Sequence, residues 1–199
     1  MLKGLRASSY LPVVGRIQMS SQPSSNPLVQ QLQLLLTGYG YNFYNQTNQA
    51  RADDLLVRER ASYHLSQAMS TLAQLRSDYQ MRFVPPLTRA NPDPPQEAMV
   101  QLRALEAAQQ ALAKIESGIR GMSVPTQDRI WWRFRQEQNL LLQLLNFDLV
   151  LVRDSEQLYQ YVSRMTPEDW ASQSSTLRQM TQQLAHSATE RERFLLLQL

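Results

Sequence analysis

Glycine and proline occur in short clusters of this chain, and long stretches separate the clusters. No glycine lies between Gly40 and Gly118 or after Gly121, and five of the ten prolines lie between Pro85 and Pro95. Both residues are unfavourable inside a helix, because glycine is flexible and proline lacks an amide hydrogen. The uninterrupted stretches therefore favour long helices.

This spacing predicts four long helices with a shorter one in front. The expected ranges are 27–36, 50–83, 96–119, 126–165 and 166–199. Asn26-Pro27 and Thr166-Pro167 are typical helix starts, since a polar side chain caps the free amides and proline fits the first turn. The proline-rich stretch 85–95 is interpreted as a connection inside one bundle rather than a linker between domains.

Apolar residues in the second and third ranges recur at helical spacing. The range 50–83 has steps of three and four residues along one seam: Ala61, Leu65, Ala68, Leu72, Leu75 and Tyr79. The range 96–119 has a comparable inner face: Met99, Leu102, Leu105, Ala108, Leu112, Ile115 and Ile119. Such seams are typical of helices that pack in a coiled-coil-like manner.

Alternating polar and apolar runs of the kind that form strands are missing. We therefore expect an all-α fold, a bundle of four long helices with a short N-terminal helix and a basic, largely irregular N-terminal tail. Residues 1–25 are assigned to a flexible tail and residues 26–199 to a single helical-bundle domain.

Several chemistries are excluded or disfavoured by the residues present. The chain has no cysteine, which excludes disulfides and thiolate sites, and no stretch of about 20 apolar residues that could span a membrane. Neither His64 nor His186 has a glutamate three residues before it, as di-iron bundles require. No phosphate-binding glycine loop or hydrolase motif occurs. We expect no metal, no cofactor, no catalytic residue and, on balance, no enzymatic activity.

Positive charge is concentrated at the front of the chain. Residues 1–52 contain Lys3, Arg6, Arg16 and Arg51 and no acid, whereas the remainder is nearly neutral. We expect a cytoplasmic protein. One alternative is a location in the matrix of an organelle, after removal of this N-terminal segment. Another is weak attachment to an anionic membrane or other anionic surface through Lys3, Arg6 and Arg16.

The range 140–152 is the most apolar part of the chain, with ten apolar residues among thirteen. The polar residues around it share one narrow stripe of the helix: Gln136, Asn139, Gln143, Asn146, Arg153 and Gln157. Asp148 lies off that stripe, so we expect a buried carboxylate, either paired with a neighbouring helix or acting as a catalytic acid or base. His64 is the second expected buried polar residue.

Two further features point to a protein partner. Trp131 and Trp132 are adjacent, so on a helix they face about 100° apart and one is expected at a surface or interface. Together with Arg135 and the C-terminal Phe194 and Leu197 they form the predicted partner-binding set. The expected function is protein–protein interaction, as an adaptor, scaffold or assembly factor, including self-association. A nucleic-acid partner is disfavoured because acidic residues close to Trp131 and Trp132 in the sequence reduce the net positive charge of this region.

Overall fold

The computed structural model describes residues 30–31, 49–86, 88–89, 93–123 and 128–197. Five helices fill most of these ranges: α1 (Gln49–Phe83), α2 (Gln96–Arg120), α3 (Asp128–Gln136), α4 (Gln138–Val162) and α5 (Trp170–Leu196). No strand occurs within the described ranges, and the predicted all-α bundle is confirmed. Of the predicted helix 27–36 only Gln30 and Gln31 are described, and both are helical and exposed. The rest of that helix and the tail 1–25 lie outside the described residues.

The four long helices form a ring in the order α1, α2, α5, α4, in which each contacts its two neighbours. Arg58 near the start of α1 donates hydrogen bonds to carbonyls at the end of α2, so these helices are antiparallel. Arg82 near the end of α1 forms an ion pair with Glu168, just before α5. Because α2 and α4 lie on opposite sides of the ring, the chain that joins them crosses one end of the bundle. Helix α3 lies in this connection and packs against α4.

The predicted seam of α1 is buried along its whole length. All six of its residues, from Ala61 to Tyr79, have at most 8% of their surface exposed. On α2 the predicted face is buried at Leu102, Leu105, Leu112 and Ile119 and half-buried at its other positions. Removing each large apolar side chain from water contributes roughly 1.5–3 kcal/mol to folding, so these seams account for much of the core.

The single helix predicted over 126–165 is wrong, because the structure breaks it at Glu137. This residue has extended dihedral angles (φ −96°, ψ 92°), which separate α3 from α4. Residues ten positions apart on one straight helix lie about 15 Å apart and cannot touch. The break lets Trp131 and Phe134 pack in one cluster with Leu144 and Leu145.

Helix α5 begins at Trp170, three residues after Pro167, its predicted first helical residue. The predicted start forms a turn in which the Thr166 hydroxyl donates to Asp169 Oδ2 (2.8 Å) and the Asp169 amide donates to Thr166 Oγ1 (3.3 Å). The capping side chains therefore bond to each other in a turn, and the helix starts at Trp170.

Apolar side chains form two separate clusters. The larger one runs along the bundle and contains the α1 seam, all the buried residues of α2 and buried apolar residues of the second half of α4 and of α5. The smaller one lies at the end of the bundle and contains these residues of α3, α4 and α5: Ile130, Trp131, Phe134, Leu144, Leu145, Leu149 and Leu195.

Candidate functional site

Charged side chains lie buried between the two apolar clusters. Asp54 on α1, Asp148 on α4 and Arg191 on α5 are each at most 1% exposed. Arg191 Nε donates to Asp148 Oδ1 at 2.6 Å, and Arg191 Nη2 donates to Asp54 Oδ1 at 2.7 Å. One guanidinium thus joins three helices.

Arg58 extends the same network toward α2. Its Nη2 lies 3.0 Å from Asp54 Oδ2, and its Nη1 donates to the carbonyl oxygens of Met122 (3.1 Å) and Arg120 (3.3 Å). These carbonyls at the end of α2 lack partners within the helix and carry partial negative charge, which the guanidinium stabilises. We call Asp54, Arg58, Asp148 and Arg191 the charge layer; its two carboxylates balance its two guanidiniums.

The positions of the charge layer follow from the helical seams. Asp54 and Arg58 continue the steps of four and three that lead to Ala61 on α1. Arg191 occupies the seam position between Ala188 and Leu195 on α5. A residue at a seam position points toward the bundle axis whatever its chemistry. Sequence reasoning identified Asp148 but missed the other three residues, although this spacing was the signal that could have found them.

Burial of these charges is tolerable only because they are paired. Removing a charged group from water costs several kcal/mol, and loss of one partner of a buried pair typically costs about 3–5 kcal/mol. Asp54, Asp148 and Arg191 can pair only when they lie at the same height along the bundle axis. The charge layer therefore favours one register of α1, α4 and α5. Of the two interpretations of Asp148, the structure shows the carboxylate in an ion pair with a neighbouring helix.

Two further carboxylates are buried in the bundle. Asp53 is 0% exposed, and Asp154 is 7% exposed. Asp154 accepts a hydrogen bond from Gln183 Nε2 at 3.4 Å and lies 3.5 Å from Arg153 Nη2. Within the part of the chain that the structure describes, no group of three histidine, aspartate or glutamate side chains is arranged to hold a metal ion.

His64 is buried between aromatic rings. It is 5% exposed, its ring stacks on that of Tyr159 with centroids 6.3 Å apart, and Tyr63 meets it edge-on at 5.6 Å. Burial lowers the pKa of His64, the positive charge of Arg60 lowers it further, and Glu156 acts in the opposite direction. The neutral imidazole is therefore favoured in the fold.

The structure separates the two adjacent tryptophans. Trp131 is 1% exposed and packs in the smaller apolar cluster, whereas Trp132 is 56% exposed. The assignment of Trp131 to the partner-binding set is therefore corrected: its indole is enclosed by Phe134 and its other neighbours in the cluster, and it is not available to a partner. Trp132 remains at the surface.

The C-terminal residues of the predicted set lie next to α3. Phe194 is half-buried, and its ring centroid lies 5.8 Å from that of Phe134 and 5.2 Å from that of Phe147. Leu197 is 74% exposed and Leu196 is 39% exposed. The structure therefore brings the end of α5 together with α3, and part of the predicted set lies at one end of the bundle.

The other predicted site residues are not described. Lys3, Arg6 and Arg16 lie outside the described residues, as does the side chain of Arg135. Among the described helices, none combines the length and the apolar character needed to cross a bilayer.

Comparisons of the chain with protein-family models, curated proteins and solved structures found no match.

Proposed function

We propose that this chain acts by protein–protein interaction, and that its partner is a second copy of itself. The contact is the end face, which we define as Trp132, Leu196 and Leu197 with the charged residues around them. The observation that carries the proposal is the exposure of these three large apolar side chains on α3 and at the end of α5, two helices that contribute to the smaller apolar cluster. Tryptophan and arginine are enriched at protein interfaces, and buried tryptophan often dominates binding energy.

The two parts of the end face lie on helix segments that are in contact. The ring contact between Phe134 and Phe194 holds α3 against the end of α5. Trp132 is two residues from Phe134, and Leu197 is three residues from Phe194, so these exposed side chains lie on neighbouring helix segments. We infer that one partner covers both segments.

Charge favours a second copy as the partner. The charged residues close to the end face in the sequence, with side chains that the structure describes as exposed or half-buried, include three arginines and three glutamates: Arg129, Arg133, Arg193, Glu137, Glu190 and Glu192. A surface with balanced charges can meet a copy of itself around a two-fold axis without net repulsion. A strongly acidic or basic partner gains no such advantage.

The test is the mass of the full chain in solution, measured by light scattering on a size-exclusion column. At concentrations of about 1–100 µM, which cover ordinary protein affinities, we expect the mass to rise from that of a monomer of 23.0 kDa toward twice that value. The Trp132→Ala and Leu197→Ala variants should shift this transition to at least tenfold higher concentration.

Met81→Ala and Val100→Ala are matched controls, since both side chains are exposed (73% and 58%) and lie outside the end face. They should leave the transition unchanged. A chain that stays monomeric throughout, or controls that weaken association as much as Trp132→Ala, would contradict the proposal.

A further inference from the structure

A groove runs between α2 and α5 on one side of the bundle. Two clefts of about 370 Å³ and about 240 Å³ lie end to end there and share Ala111, Thr181 and Gln182 in their walls. The first reaches Met122 at the end of α2, and the second reaches Trp170 at the start of α5. We call the two together the α2–α5 groove.

Small side chains leave this groove unfilled. Its walls include six alanines and one glycine: Ala104, Ala107, Ala108, Ala111, Ala185, Ala188 and Gly118. A Cβ atom built at Gly118 would meet nothing within 4 Å. Protein interiors are close-packed, and methyl groups leave part of the space along the α2–α5 contact unfilled where longer side chains would occupy it. The groove therefore leaves room for further apolar side chains.

The range 27–36 of the same chain has the composition to fill it. These ten residues, of which only Gln30 and Gln31 are described, contain no charge. At 100° per residue, five of the six Leu and Val residues fall within an arc of about 120°: Leu28, Val29, Leu32, Leu35 and Leu36. The sixth, Leu34, falls outside it. Gln30, Gln31 and Gln33 all fall outside that arc, and Gln30 and Gln31 are helical and exposed.

The connection to α1 is long enough. The start of α1 lies beside the Met122 end of the groove, because Arg58 donates to the carbonyl of Met122, which lines the groove. The residues numbered 37–48 join the segment to α1 and span at most about 40 Å when extended. Neighbouring helix axes are only about 8–10 Å apart, so the segment can pass around the end of α2.

The length and the lack of charge of the segment also fit the groove. Ten helical residues extend about 15 Å, and the groove runs along about 27 Å of α2 from Ala104 to Met122. The charged groove residues Lys114, Arg178 and Glu192 remain at least partly exposed. An uncharged helix can therefore enter without burying an unpaired charge.

We propose that residues 27–36 pack as an amphipathic helix in the α2–α5 groove, with the leucine-rich arc toward the alanine walls. The segment thus adds a further helix to the four long helices of the bundle, and it covers the groove from within the same molecule.

Cysteine cross-linking tests this directly, since the chain has no cysteine of its own. Leu32→Cys is combined in the full chain with Ala111→Cys, Gly118→Cys or Ala185→Cys, and disulfide formation within one molecule is followed by gel mobility under mild oxidation. A disulfide needs Cα atoms about 4.4–6.8 Å apart. We expect at least one pair to close at least tenfold faster than the matched pair that carries Gln30→Cys, which lies on the polar side of the segment.

Leu32→Cys with Ser66→Cys is a second control, because Ser66 lines a different cleft, between α1 and α2. Equal rates for Leu32 and Gln30, or fastest closure with Ser66, overturn the proposal. So does a disulfide between two molecules at the groove positions, which would show that a second copy fills the groove.

Hydrogen–deuterium exchange gives a readout that needs no cysteine. Replacing Leu32 and Leu35 by aspartate should speed exchange of the amides that line the groove in α2 and α5 at least fivefold, whereas replacing Gln30 and Gln33 by aspartate should not. Equal effects of the two double variants would also overturn the proposal.

Discussion

Arg191 Nε lies 2.6 Å from Asp148 Oδ1, and this ion pair joins α5 to α4 at the boundary between the two apolar clusters. Neither side chain reaches solvent. Because Arg191 also binds Asp54, replacing this one arginine removes a cation from two buried carboxylates at once, and only Asp54 keeps its ion pair with Arg58.

Arg191→Met should therefore destabilise the fold by about 3–5 kcal/mol, even though methionine restores apolar volume. The free energy of unfolding measured in urea at neutral pH checks this. Arg193→Ala is the control, because Arg193 pairs with Glu190 in an exposed position and its loss should cost less than about 1 kcal/mol. Similar losses in both variants would show that the charge layer contributes little.

The two tryptophans provide a matched pair of substitutions. Trp131→Ala removes a buried indole from the smaller cluster and should cost about 3–5 kcal/mol. Trp132→Ala removes an exposed indole and should change stability by less than about 0.5 kcal/mol. Urea unfolding at a protein concentration where the chain is monomeric distinguishes them, and equal losses would contradict the placement of α3.

His64 should make stability depend on pH. Its pKa is lowered in the fold by burial and by Arg60, so the unfolded chain, with a pKa near 6.5, takes up a proton first as pH falls. Stability due to this group is therefore complete above pH 6.5 and decreases below it, by no more than about 1.4 kcal/mol per pH unit for one proton.

The measurement for His64 compares unfolding free energies at about pH 7.5 and about pH 5.5, in the original chain and in His64→Gln. The other titrating groups are common to both proteins, so the variant should lose less stability on acidification. The same loss in both would show that His64 does not contribute.

Gly118→Ala should stabilise the protein by about 0.5–1 kcal/mol. The residue lies within α2, the added methyl group meets no atom within 4 Å, and alanine reduces the freedom of the unfolded chain. Gly121→Ala is the comparison, since its methyl group would lie 3.2 Å from the carbonyl oxygen of Ser117. It should gain less, and a larger gain at Gly121 would contradict this view of the two sites.

Much of the fold was predictable because apolar spacing determines which face of a helix is buried. The α1 seam is buried from Ala61 to Tyr79, and α1 ends at Phe83 as expected. The polar stripe predicted around 140–152 is exposed at all six of its positions. These features depend on local spacing, which the sequence carries directly.

The break at Glu137 was not predictable in the same way. Gln136, Glu137 and Gln138 are ordinary helix-forming residues, and no glycine or proline marks the break. It is favoured by tertiary packing, which allows Trp131 and Phe134 to reach the leucines of α4. The partner of Asp148 was missed for a related reason: Arg191 is 43 residues away, and pairing across helices depends on their register.

The position of the charge layer has a consequence for how the molecule loses structure. Because paired polar groups rather than apolar contacts join the two clusters, the clusters are expected to behave as separate cooperative units. The smaller unit, held by seven buried side chains, should open more often than the main bundle. Each opening would release the enclosed Trp131 beside Trp132, so that local unfolding and exposure of the end face become a single event.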